Sequence, residues 1–316
     1  MINIDRTTIH ILNRHSNWPE ARVGELLKDK VYNDLHSWKI FLRLFFITLG
    51  VGFTTSGIIF FFAYNWVDLH KFVKIGLIEG LIVVTTLVVL ISKFNPVVKH
   101  ILLTGSVVLV GGLIAVFGQI YQTGANAYDF FLLWTVLVTL WIVVSDFAPL
   151  WLIWITLINT TLFLYAQQVA FHWSEVVVCT VHFMLNTLFL ILFIGLSKRY
   201  PINVPKWFTN TTALAAVAFS TFGIAMGIFE DFQLSFVLLI MLAAIFYSAG
   251  MIYGYNTKNR FYLAIVALSI IIVIASILIE ISDSEGMLLL ISFFIIGSVT
   301  FVISNLMKIQ KKWDNG

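Results

Sequence analysis

Residues Gly105 to Trp134 read GSVVLVGGLIAVFGQIYQTGANAYDFFLLW. An apolar run ends on Gln119, Ile120, Tyr121 and Gln122. A polar stretch with Gly124, Asn126 and Asp129 follows, and a second apolar run opens at Phe130 and carries Trp134. Glycine suits a helix end, and Asn or Asp suits a helix start. The pattern predicts a helix leaving a bilayer, a polar turn, and a helix returning. The fold class it implies is an all-α polytopic transmembrane bundle.

Composition extends this reading to the whole chain. The 316 residues are 60% hydrophobic and 11% charged, whereas soluble domains carry about 25% charged residues. The apolar runs are long and continuous, close to the roughly 20 residues that span a bilayer. They lack the strict alternation of barrel strands, which leaves helices as the spanning element. The first run begins near Ile40, after a charged segment, too late for a cleaved signal peptide. The single cysteine, Cys179, lies inside an apolar run and allows no internal disulfide; it reads as a small core residue.

Ten spans are expected, near 43–64, 72–92, 101–119, 130–145, 149–166, 176–196, 211–229, 233–254, 261–281 and 286–306. The fourth and fifth are separated only by Ser145, Asp146 and the residues up to Pro149. Fused, they would reach over about 50 Å at roughly 1.5 Å per residue, against a hydrocarbon core of about 30 Å. Loop charge supports the even count. With the N-terminus in the cytoplasm, 17 of the 19 Lys and Arg residues fall inside, and only Lys71 and Lys74 fall outside. The positive-inside rule asks for this asymmetry, so both termini are expected in the cytoplasm. Nine acidic residues fall on the outer side or in the outer half of the spans, among them Asp68, Glu79, Asp129 and Glu175.

The chain divides in this reading into a cytoplasmic amphipathic helical arm (1–39), a first membrane half (40–166) and a second (167–316). In the arm, Asn17-Trp-Pro-Glu20 reads as a helix start. Val23, Leu26, Leu27, Val31, Leu35 and Trp38 then form an apolar stripe at helical spacing. Glycines four apart, Gly76 with Gly80, Gly223 with Gly227 and Gly250 with Gly254, suggest close helix approach.

No HExxH, GxxxxGK[ST] or GxSxG motif occurs, and no basic-aromatic surface suggests nucleic acid. No catalytic residue, metal site or cofactor is assigned. What stands out is a set of polar and aromatic residues at the expected outer rim. These are Asn65, Trp66 and Asp68 after the first span, and Gln119, Tyr121 and Asp129 around the opening stretch. His172 and Glu175 follow the fifth. Two readings stay open: interfacial anchoring and capping, or a cup that holds a headgroup, sugar or peptide. Within the bilayer the exceptions are Glu79, Asn159, His182 and Asn186. Intramembrane ionisable groups are functional hypotheses by default. Asn159 and Asn186 lie mid-span in consecutive antiparallel helices, where hydrogen bonding across the pair is expected. Glu79 and His182 fall at similar depth, and a pairing facing the bundle interior is expected.

The A-x-N-W end of the first span, the G-Q-I-Y end of the third and the G…D…W run after it resemble the bacterial multi-pass proteins of domain-of-unknown-function family 2157. The resemblance covers about residues 10–165 and rests on Asn65, Trp66, Gln119, Tyr121, Asp129 and Trp134. It implies a bacterial cytoplasmic (inner) membrane protein and no particular activity. The leading expectation is a non-enzymatic, transporter-like or envelope-complex component that binds a ligand or partner at the outer cup. Its partners are the lipid bilayer and, as a further candidate, another envelope membrane protein. The alternative is an intramembrane transferase or hydrolase acting on a lipid-linked substrate.

Overall fold

The computed structural model describes residues 9, 13, 16, 18–30, 35–64, 70–122, 124–281 and 285–315. Among them eleven helices follow one another: α1 (Glu20–Lys30), α2 (Leu35–Tyr64), α3 (Lys71–Ile91), α4 (Pro96–Tyr121), α5 (Ala127–Ser145), α6 (Ala148–Gln168), α7 (Glu175–Arg199), α8 (Lys206–Phe229), α9 (Leu234–Asn256), α10 (Arg260–Ile281) and α11 (Glu285–Asn315). Ten of them, α2 to α11, are long and apolar enough to cross a membrane. The all-helical, ten-span reading therefore stands.

Most ends fall within a few residues of expectation, but two helices overrun. α2 begins at Leu35, so Leu35 and Trp38 belong to the first long helix and not to the arm, and both are exposed. The apolar stripe expected to run through one arm helix is thus split between α1 and α2. Val31 lies outside the described residues. α11 continues to Asn315, well past the expected 306. The disputed fourth and fifth spans are separate: α5 stops where Asp146 takes a left-handed backbone (φ 44°), and α6 restarts at Ala148 with Pro149 in its first turn. Proline fits there because its missing N–H has no helical partner to lose.

The chain forms two compact units, residues 1–113 and 114–316. The partition at 39/40 and 166/167 follows topology, not contacts, and remains a proposal. In the first unit, α2 and α4 approach closely. A Cβ on Gly105 would lie 2.8 Å from Val51 Cγ1, so only glycine admits this spacing. Ser106 and Thr85 share a hydrogen bond of 2.7 Å between α4 and α3.

In the second unit α8 is the hub, packing on α6, α7, α9 and α10. Small residues on its buried faces, Ala213, Ala216, Ser220 and Gly223, make this approach possible. A Cβ on Gly223 would lie 2.7 Å from both Cys179 Cβ and Leu239 Cδ2. Gly227 is equally tight against Phe236, and Gly254 against Tyr262. Gly76, Gly80 and Gly250 meet nothing within 4 Å. Glycine spacing alone thus marked three real close contacts and three open positions. Phe183, Leu190, Val217, Leu239, Tyr262 and Val266 fill the core between these helices.

Candidate functional site

The turn quoted at the outset builds a cavity. α4 ends at Tyr121, and Gln122 adopts a left-handed backbone (φ 43°), followed by Gly124 at φ 62°. The expected glycine punctuation is therefore shared with a glutamine. Asn126 precedes α5, and the Asp129 carboxylate accepts the Asn126 backbone N–H at 3.1 Å. This is the reach-back half of a capping box, and it places a negative group at the positive end of α5. A cavity of about 590 Å³ lies between the end of α4 and the start of α5. Gln119, Gln122, Asn126 and Asp129 line its polar part, while Phe117, Phe130 and Leu133 line its apolar part.

The rim residues of the sequence reading separate on this structure. Gln119 and Asp129 both line the cavity. Tyr121 is exposed and packs on Phe117, with ring centroids 4.6 Å apart, outside the lining. His172 and Glu175 are exposed near the start of α7 and do not line it either. Glu175 opens α7 next to Ser174, whose hydroxyl accepts the Val177 N–H; a carboxylate there favours the helix dipole. Asn65, Trp66 and Asp68 lie outside the described residues. The α5 start is tied to the α6 end: Gln168 Oε1 accepts the Tyr128 N–H at 3.1 Å. The Tyr128 and Tyr165 rings meet edge-on at 5.4 Å.

A second polar group lies deep between α6 and α7. Asn186 Nδ2 donates to Asn159 Oδ1 at 2.7 Å, and Asn159 Nδ2 donates to Asn186 Oδ1 at 3.3 Å. This reciprocal pair matches the expected bond across consecutive helices. His182 is buried beside it, with Nδ1 2.8 Å from Val178 O and Nε2 3.1 Å from Asn159 O, and its ring stacks on Phe219 at 4.7 Å. Both ring nitrogens face carbonyl oxygens. A neutral imidazole donates to only one of them, while the protonated ring donates to both. Both ring nitrogens thus have partners within the second unit. Glu79 itself is exposed on α3, whose buried residues are Lys74, Ile78 and Ile82. The expectation of an inward-facing Glu79 stands as a proposal; α3 itself buries Lys74, Ile78 and Ile82. Four positions separate Ile78 and Ile82 on one stripe, and Glu79 stands about 100° away from Ile78.

A third network was not anticipated. Ser220 and Thr221 of α8, Tyr247 of α9 and Ser269 of α10 are all buried. Tyr247 Oη lies 2.8 Å from Ser220 Oγ and 2.6 Å from Ser269 Oγ, and Ser269 Oγ lies 2.6 Å from Thr221 Oγ1. Thr221 donates on to Val217 O at 2.6 Å. One proton arrangement satisfies all four hydroxyls in sequence: Ser220 to Tyr247, to Ser269, to Thr221, to the carbonyl. Single hydroxyls scattered through apolar helices carry no periodic signal, so only the packing reveals them. No group of three or more His, Cys, Asp or Glu that could hold a metal occurs among the described residues.

Comparison with known families matches residues 23–151 to the family described as predicted membrane protein (DUF2157). The match spans less than half of the chain, a shorter segment than the 10–165 expected, and it includes Asn65, Trp66, Gln119, Tyr121, Asp129 and Trp134. No curated protein matches the chain.

Proposed function

We propose that this multi-pass membrane protein is a non-enzymatic component of the bacterial cytoplasmic membrane that binds an amphipathic ligand in the cup at the α4–α5 turn. In this proposal the cup faces outward and both termini lie in the cytoplasm, as the basic loops favour. One observation carries the reading: a cavity of about 590 Å³ that joins Gln119, Gln122, Asn126 and Asp129 to Phe117, Phe130 and Leu133. Its size falls in the range of small-molecule pockets, about 300–1,000 Å³. Side-chain amides both donate and accept hydrogen bonds. A hydroxyl- or amide-rich headgroup on an apolar stem therefore suits the lining better than a strongly charged one.

The alternative, a transferase or hydrolase working on a lipid-linked substrate, asks for a titratable group in the cup. Asp129 is the one carboxylate among the described lining residues, and it is engaged with the Asn126 N–H. His172 and Glu175 are not in the lining. These facts favour binding over chemistry.

The test uses the purified full chain in nanodiscs, titrated with octyl glucoside below its micelle threshold and, in parallel, with octyl phosphocholine. Native mass spectrometry counts the retained molecules. The expected result is one saturable glucoside adduct, retained over the phosphocholine and lost in Gln119→Leu. Equal, non-saturating uptake of both probes, indifferent to Gln119→Leu, overturns the proposal.

A further inference from the structure

The other end of the second unit carries a separate pocket, where the α7–α8 and α9–α10 connections meet α11. Lys206 is the first residue of α8 and Arg260 the first of α10, so two helix N-termini converge there. Lys206, Lys258 and Arg260 line a cavity of about 420 Å³ together with Asn210 and Asn259. Lys258 takes a left-handed backbone (φ 51°), and the Asn259 N–H closes the turn on Gly254 O at 2.8 Å. Asn259 Nδ2 donates to Asn210 Oδ1 at 3.2 Å, which joins the two connections. The turn is fastened to α11 as well: Lys258 Nζ donates to Trp313 O at 3.4 Å, and Arg260 donates to Gln310 Oε1. Both of these acceptors are neutral. Among the described residues lining the pocket there is no carboxylate, so three cations and two helix dipoles face one space without a counter-charge.

The wall below the cations is apolar, made by Phe261, Ala264 and Leu306. Trp207 follows Lys206 and is exposed, and Trp313 packs on Tyr255 at 5.8 Å. Tryptophan and tyrosine concentrate at headgroup depth. Aromatic residues of the kind that favour headgroup depth therefore lie close to the pocket in sequence. A basic loop obeying the positive-inside rule accounts for the sign of the charge. It does not account for a cavity that gathers that charge above an apolar wall.

We propose that this pocket binds the phosphate of an anionic membrane lipid, held by Lys206, Lys258 and Arg260 with the glycerol and first methylenes against Phe261 and Leu306. Basic pockets between membrane helices hold such headgroups. The inference is independent of the cup at the α4–α5 turn, which lies at the other end of α5 to α8.

The full chain is delipidated and placed in phosphatidylcholine nanodiscs doped with phosphatidylglycerol, and retained lipid is identified by native mass spectrometry. Preferential retention of phosphatidylglycerol is expected. The combined Lys206→Gln, Lys258→Gln, Arg260→Gln variant should reduce that preference at least about tenfold. Lys206→Gln alone, which disturbs no bond to α11, should reduce it in part. Lys308, Lys311 and Lys312 are exposed on α11 outside the pocket, and replacing all three by Gln should leave retention unchanged. Equal losses in the two triple variants would reduce the effect to surface charge and overturn the site. Displacement of the lipid by millimolar inorganic phosphate would overturn the lipid assignment in favour of a free anion.

Discussion

Replacing Asn186 by leucine tests the deepest polar contact of the second unit. Asn186 is fully buried, and its amide makes both hydrogen bonds that connect the α6 and α7 side chains, at 2.7 and 3.3 Å. It also donates to His182 O at 2.8 Å within α7. Hydrogen bonds across membrane helices average about 0.6 kcal/mol and reach about 1.7 kcal/mol. Two of them give about 1–3 kcal/mol for Asn186→Leu, the upper part applying because Asn159 Oδ1 then loses its partner in a dry site. Asn159→Leu should cost a similar amount. The double variant should cost less than the sum, by about 1 kcal/mol, because neither amide is then left orphaned. At about 1.4 kcal/mol per tenfold, each single change shifts the unfolding equilibrium by roughly five- to a hundredfold. Steric trapping of the protein in bicelles measures all four corners of this cycle. Strict additivity, within about 0.3 kcal/mol, would refute the reciprocal pair.

Three further outcomes are expected. Gly223→Leu should prevent α8 from seating against Cys179 and Leu239, costing at least about 1–3 kcal/mol by overpacking, whereas Gly250→Leu should be near neutral; comparable losses in a thermal-aggregation assay would count against the α7–α8 contact. Tyr247→Phe removes the hydroxyl shared by Ser220 and Ser269 and should destabilise by about 1–2 kcal/mol, while Tyr255→Phe, exposed at the end of α9, should not. For topology, single cysteines at Asn126 and Ser174 in a Cys179→Ala background should react with an impermeant thiol reagent in intact cells, and those at Asn203 and Asn259 should not. Labelling of Asn203 from outside would contradict the ten-span, N-in arrangement.

What the residues disclosed in advance follows from which forces have a sequence period. Apolar run length is a local quantity set by bilayer thickness, so α3, α5, α6, α7, α9 and α10 begin and end within a few residues of expectation. Charge placement marks helix ends, but it does not mark where a helix stops outside the hydrocarbon; hence α2 and α11 overran. Asn159 and Asn186 were legible because two amides at matching depth in adjacent antiparallel spans have few other partners. Glu79 lies off the stripe of Ile78 and Ile82, an azimuth that depth alone does not fix. His172 and Glu175 were grouped with Gln119 and Asp129 by loop order, yet the cavity wall is drawn from one helical hairpin only. The basic pocket was invisible as such: its cations were read as topology marks, and their convergence depends on packing among α8, α10 and α11.

The buried hydroxyl chain bears on how the protein is made. Ser220 and Thr221 each lie within reach of Val217 O in their own helix, at 2.9 and 2.6 Å. α8 can therefore leave the translocation machinery for lipid with those donors already satisfied. Tyr247, mid-way along α9, has an aromatic hydroxyl too far from its own backbone to do the same. It accepts from Ser220 on α8, the helix synthesised just before it, and donates to Ser269 on α10, the helix synthesised just after. The hydroxyl chain thus links three helices in their order of synthesis, and it closes only when α10 joins α8 and α9.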